Sequence, residues 1–180
     1  MKASHKVTPV FDHPNLVGSA GLVPAMLLAQ SAGLHHLATE HLEVTSPNAA
    51  AKTTGIVAGM VAGADSIDDL DVLRHGAMPR LFAGLRAPST LGTYLRTFTQ
   101  GQIAQLDAVA SRFLAALAGL VTGLLAGATD GDGQGIAFLD VDDTIRQVHG
   151  YAKQGAAYGY SGVKGLNAQL AIISTRSSRR

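Results

Sequence analysis

From about residue 21 to residue 127, apolar positions recur at steps of three and four, the period of a helix with one buried stripe. The segment GLVPAMLLAQSAGLHHLATEHL reads as two short helices. Pro24 is tolerated in the first turn of the first helix, and Gly33 ends it as a C-cap. Pro47 and Asn48 open a third helix through AAAKTTGIVAGMVAGA. In GADSIDDLDVLRHGAM, Ser66 with Asp69 three residues on predicts a capping box whose acid is one methylene short. Asp68, Asp69 and Asp71 then complement the positive end of that helix, Arg74 and His75 its negative end, and Gly76 stops it. Capping and dipole effects account for this acid cluster without a metal. A short helix follows, and APSTLGTYLRTFT starts another at Pro88 and Ser89, with Leu91, Leu95 and Phe98 on one face and Thr93 and Arg96 off it. The longest stripe is Ile103, Leu106, Ala110, Phe113, Leu117, Leu120 and Leu124, with Gln105, Asp107 and Arg112 off the stripe.

The period then changes. ATDGDGQG, closing at Gly135, is dense in Gly and Asp and predicts a loop over 128–135. It imitates the first half of a calcium loop through Asp130 and Asp132, but the twelfth position, which needs a bidentate Glu, is Val141. IAFLDVD after it alternates as a strand does, with Phe138, Asp140 and Asp142 on one face and Leu139 and Val141 on the other. A Gly- and Tyr-rich link leads to LNAQLAIIS, a second strand. The expected organisation is an extended arm to about residue 15, a helical region over 1–127, a loop over 128–135 and the start of an α/β sheet over 136–180.

Composition sharpens this reading. Hydrophobic residues make up 47 % of the 180, enough for a sizeable core, and aromatics only 5 %, which suits closely packed helices. Cysteine is absent, which excludes a disulfide scaffold, thiolate metal sites and cysteine nucleophiles, and points to a reducing cytoplasm. The start of the chain has no apolar run of the signal-peptide type. Residues 113–129 carry no charge, a span of 17 at the lower limit for crossing a bilayer, with Gly119, Gly123 and Gly127 at four-residue spacing. The stripe continues upstream into a charged region, so the reading adopted is a long soluble helix and no membrane. The net charge of +1 hides an asymmetry: all 13 acids lie at or before Asp143, and the six bases that follow have no acid among them. Such a segment fits a phosphate backbone, or is a basic end without a partner.

The chemistry concentrates at FLDVDDT, where Asp140 and Asp142 share one face of a strand and Asp143 takes the other. Carboxylates in a buried strand are costly unless paired or bound to metal. Two on one face suit a hard divalent ion, Mg²⁺ or Mn²⁺. A DxD at a strand end also occurs in kinases, phosphatases, glycosyltransferases and plain turns, so the motif alone leaves the choice open. His149 is a further candidate, whereas His35, His36 and His41 lie on a short helix without a matching acid pair.

FLDVDDT with VHGYAKQGAAYGYSGVKGLNAQLAIIST resembles the first block of the DDE transposases of bacterial insertion sequences, most nearly the group named for insertion sequence 1380. FDHPNLVGSAGLVPAMLLAQSAGL, VAGMVAGADSIDDLDVLRHGAM and RAPSTLGTYLRTFTQGQIAQLDAVA resemble that group's helical amino-terminal region. The resemblance implies a mainly α region that binds DNA or dimerises, followed by the first strands of an incomplete α/β ribonuclease-H-like fold. It implies that the first catalytic acid is Asp142, with Asp140 the alternative, and that Mg²⁺ or Mn²⁺ is the cofactor of DNA cleavage and strand transfer. It implies DNA, at the terminal inverted repeats of the element, as the partner, and a cytoplasmic, nucleoid-associated location. Lys153, Gln154, Tyr158, Tyr160 and Lys164 in the link are then DNA-contact candidates, with loop packing as the alternative; Arg86, Arg96 and Arg112 are candidates in the helical region. Asp143 replaces the small residue usual there. The family's second Asp and its Glu lie further on, and no acid follows Asp143. STRSSRR, after Ile173, also departs from the pattern, so a truncated, inactive copy is expected. The reading from a different class is a helical interaction module that self-associates through the 103–124 stripe and has no role in catalysis.

Overall fold

A computed structural model describes residues 13–124, 136–150 and 153–175. The expected loop over 128–135, most of the extended arm and the bases at 176–180 lie outside the described residues. The described chain is a mixed α/β protein with seven helices and one three-stranded antiparallel sheet. It divides into two compact units, residues 1–116 and 117–180, so the division falls inside the last helix and not at 127.

In the first unit, α1 (Leu22–Ser31) and α2 (Leu34–His41) are separated by Gly33 at φ 79°, the left-handed conformation that glycine adopts without a Cβ penalty. α3 (Ala49–Val61) is preceded by Asn48, left-handed at φ 57°. The expected α-helix over 66–75 is a 3₁₀ segment, Asp68–Arg74. Its three-residue turn stacks Leu70 and Leu73, both buried, on one side. The capping box is present: the Asp69 carboxylate accepts from the Ser66 amide at 3.0 Å and hydroxyl at 2.6 Å, and the Ser66 hydroxyl accepts from the Asp69 amide at 3.3 Å. These bonds to Ser66 hold the Asp69 carboxyl below the ordinary aspartate range. Asp71 is lowered in the same sense, first by its bond to His75 at 2.8 Å and then by Arg74 at 2.6 Å.

α4 (Met78–Leu81) and α5 (Pro88–Leu95) follow, the latter with Pro at its first position. On α5 the buried residues are Leu91, Gly92 and Tyr94, while Leu95 is exposed, so the inward face is rotated from the one the apolar pattern predicts. Tyr94 is 2 % exposed, bonded to Thr53 at 2.8 Å and edge-on to Phe98 at 5.0 Å between centroids. The start of the described chain forms a turn, with the Leu16 amide donating to His13, and does not continue as an extended arm.

α6 (Gln100–Leu120) stops short of the predicted residue 127. Val109, off the predicted stripe, is its buried residue and packs with Ala29 and Leu34. Ile103, Leu120 and Leu124 of that stripe are exposed. The rotation is fixed from outside the helix. The Gln105 side-chain oxygen accepts from the Glu43 amide at 2.9 Å, and the Gln102 side chain donates to the Glu43 carbonyl at 3.1 Å. The core of the unit is two apolar clusters that share Met26. One gathers Leu22, Ala58, Leu73 and Met78, the other Ala29, Leu34 and Val109.

The second unit carries β1 (Ala137–Gln147), β2 (Ala157–Tyr158) and β3 (Lys164–Thr175), in the order β1-β3-β2. The two expected strands are present, and β2 is an addition inside the link. β1 runs five residues past Asp142, because β3 offers it partners down to Gly165 opposite Gln147. Burial of β1 is not observed: Phe138, Leu139 and Val141 are exposed, as are Leu170, Ile172 and Ile173 opposite, so both faces of the sheet are apolar and open.

Burial pushes the Tyr94 phenol above its ordinary value, and the bond to Thr53 offsets part of that rise. The folded chain therefore holds this proton more tightly than the unfolded chain. The resulting stabilisation is complete below the unfolded value of about 10 and is lost as pH rises through the raised folded value. Denaturant melts of Tyr94→Phe between neutral and alkaline pH should lose less stability than those of the wild type.

Candidate metal site on the first strand

Asp140 and Asp142 are two apart on β1, so their side chains leave the same face, with Ile172 and Leu170 directly opposite. Two residues of strand separate their Cα atoms by about 7 Å, a spacing from which two carboxylates can converge on one ion between them. Asp143 leaves the opposite face, as expected, and its amide donates to the Asp142 carboxylate at 2.9 Å. All three acids are exposed, so water solvates them and the cost of burial does not arise. The acids lie in the middle of β1 and not at its end.

The donor set fits a hard cation: two carboxylates with water in the remaining positions is a usual Mg²⁺ arrangement. Among the described residues no group of three Asp, Glu or His side chains converges, so any ion here is held by these two acids. Thr144 and Arg146 continue the same face, while His149 follows β1 in the connecting segment.

The link residues occupy the far end of the sheet. Lys153 and Gln154 are exposed in a turn closed by the Ala156 amide on the Lys153 carbonyl at 3.3 Å, with Gly155 at φ 79°. Tyr160 is 95 % exposed, and its ring is free to stack. Lys164 opens β3 opposite Tyr158 and reaches the Gly150 carbonyl at 3.4 Å. Six residues of strand separate Lys164 from Leu170, the partner of Asp142, which is about 20 Å. Arg86 and Arg96 belong to the helical unit, where Arg86 borders a cavity with His35 and Arg96 donates to Thr93 at 3.4 Å. His36 and His41 both flank Glu40, at 3.5 and 3.9 Å, as surface contacts of α2.

One polar cluster escaped the pattern analysis. Lys52, Thr53 and Tyr94 are buried together between α3 and α5. The available signal was a single charge, Lys52, in the otherwise uncharged run 44–64.

No known protein family, curated protein or solved structure matches the chain.

Because Asp140 and Asp142 are exposed, and the Asp142 bond to the neighbouring Asp143 amide is one an Asn oxygen can also accept, Asp140→Asn and Asp142→Asn should each change stability by no more than about 0.5 kcal/mol in urea melts. A loss of about 2 kcal/mol or more would make them structural instead.

Proposed function

We propose that this chain derives from a DDE transposase of bacterial insertion sequences, of the insertion-sequence 1380 kind. In this reading the sheet is the beginning of a ribonuclease-H-like catalytic fold. The observation that carries it is the pair Asp140 and Asp142 on one face of β1, within FLDVDDT and the longer resemblance around it. The open, apolar faces of the sheet support it. A strand with Leu139 and Val141 on one side and Phe138 on the other is the kind that α/β folds cover on both faces.

In this reading Asp142, with Asp140 beside it, holds Mg²⁺ or Mn²⁺, which supplies electrostatic stabilisation to oxygens exchanging at phosphorus. The chain's own residues orient the ion and set the charge of that face. Strand transfer needs further carboxylates, and no acid follows Asp143 within these 180 residues, so we infer that they bind DNA without carrying out transposition by themselves. The partner is DNA at inverted repeats, and the location cytoplasmic at the nucleoid. α6 has the length and apolar composition of a membrane span. The contacts of Val109, Gln102 and Gln105 favour a helix packed on its own unit.

Titration with Mn²⁺ tests the site. Amide signals of residues 140–143 should broaden first in the wild type, and that preference should vanish in Asp140→Asn/Asp142→Asn. Mg²⁺-dependent cleavage of inverted-repeat DNA should be absent. Uniform broadening along the sheet, or clear strand transfer, would refute this reading.

A second reading rests on α6, where Ile103 and Leu114, eleven residues and so about three turns apart on one face, are 51 and 50 % exposed. We propose a homodimer through this helix. Light scattering should give twice the chain mass, and Ile103→Glu/Leu114→Glu should give the monomer; a monomeric wild type would remove the dimer.

A further inference from the structure

Lys52 stands in the first turn of α3 and is 8 % exposed. Its ammonium has three N–H donors. One donates to the Ser46 hydroxyl at 2.8 Å, and the group lies 5.5 Å from the centroid of the Tyr94 ring. Thr53 occupies the Tyr94 hydroxyl at 2.8 Å, which fixes the ring. Among the described residues no carboxylate forms an ion pair with Lys52. A buried ammonium ordinarily has a counter-charge, because a neutral hydroxyl and a ring face replace only part of its hydration.

This lysine lines an open cavity of about 390 Å³. Hydroxyls from two directions complete the wall: Thr45 and Ser46 ahead of α3, and Ser89, Thr90 and Thr93 along α5. No acid lines it. Arg96, donating to Thr93 at 3.4 Å, brings a second cation to the rim.

We propose that this cavity binds a phosphate group, with Lys52 as its counter-ion and the hydroxyls of Thr45, Ser46, Ser89 and Thr90 donating to its oxygens. One buried cation and several hydroxyls satisfy a tetrahedral oxyanion better than a planar carboxylate, whose two oxygens would leave most of them unused. The cavity exceeds the size of a bare ion, so there is room for the group to which the phosphate is esterified. The inference does not rest on the transposase reading, because every residue in it belongs to the helical unit.

Calorimetric titration of the full chain at low salt with inorganic phosphate, adenosine monophosphate and a short single-stranded oligonucleotide tests the site. At least one should bind the wild type, and Lys52→Met, which keeps the aliphatic packing, should weaken that binding at least tenfold. Ser89→Ala/Thr90→Val changes exposed residues only and should weaken it severalfold, which keeps the test valid if Lys52→Met does not fold. Tighter binding of the oligonucleotide, displaced by phosphate, assigns the site to a nucleic-acid backbone. Binding of phosphate or the monophosphate without the oligonucleotide assigns it to a free phosphate ester. Failure of all three to bind the wild type, or unchanged binding by both variants, overturns the proposal.

Discussion

The helical unit depends on how closely its helices approach α3. That helix touches α1, α2, α5 and the 3₁₀ segment. Three of its five buried positions are very small, Ala50, Ala58 and Gly59, and the other two are Lys52 and Thr53. At Gly59 an added Cβ would overlap the Leu70 side chain, so glycine is what lets the 3₁₀ segment sit where Leu70 and Leu73 reach the core. Interiors are packed too densely to absorb an extra methyl group without movement. The glycine at position 59 is thus a packing requirement. The same close approach brings α5 near enough for Tyr94 to meet Thr53 and Lys52.

Punctuation made most of the helical order legible. Gly33, Asn48, Ser66 with Asp69, and Pro88 each impose a local conformation that neighbours cannot override, and each stands at an element boundary. Rotation about the helix axis was less legible. Leu95 and Leu91 satisfy the helical period, yet α5 buries Tyr94 beside Leu91 and leaves Leu95 exposed, because Thr53 offers the Tyr94 hydroxyl a partner. On α6 the apolar stripe competes with two glutamines that grip the Glu43 backbone, and Val109 turns inward as a result. Such long-range contacts leave no local trace. The extent of β1 was hidden for the same reason: Asp142 and Asp143 interrupt the apolar pattern, whereas pairing with β3 carries the strand through to Gln147.

The two sites differ in the same way. Asp140 and Asp142 were legible because residue type and the two-residue period of a strand are local properties. Their exposure was not, since it depends on what covers the sheet. The lysine site unites Ser46, Lys52 and Ser89 from separate elements, and only folding reveals that Lys52 pairs with no acid among the described residues. As proposed, both sites would take phosphate oxygens, one through a metal held by carboxylates and the other through a buried ammonium.

The claim that this chain serves nucleic acid is tested most directly by the salt dependence of its binding to duplex DNA. Phosphate contacts release counterions, so the logarithm of the affinity should fall linearly with the logarithm of salt concentration. The account predicts binding at low salt with a clearly negative slope. Absence of binding at low salt, or an affinity indifferent to salt, would contradict it.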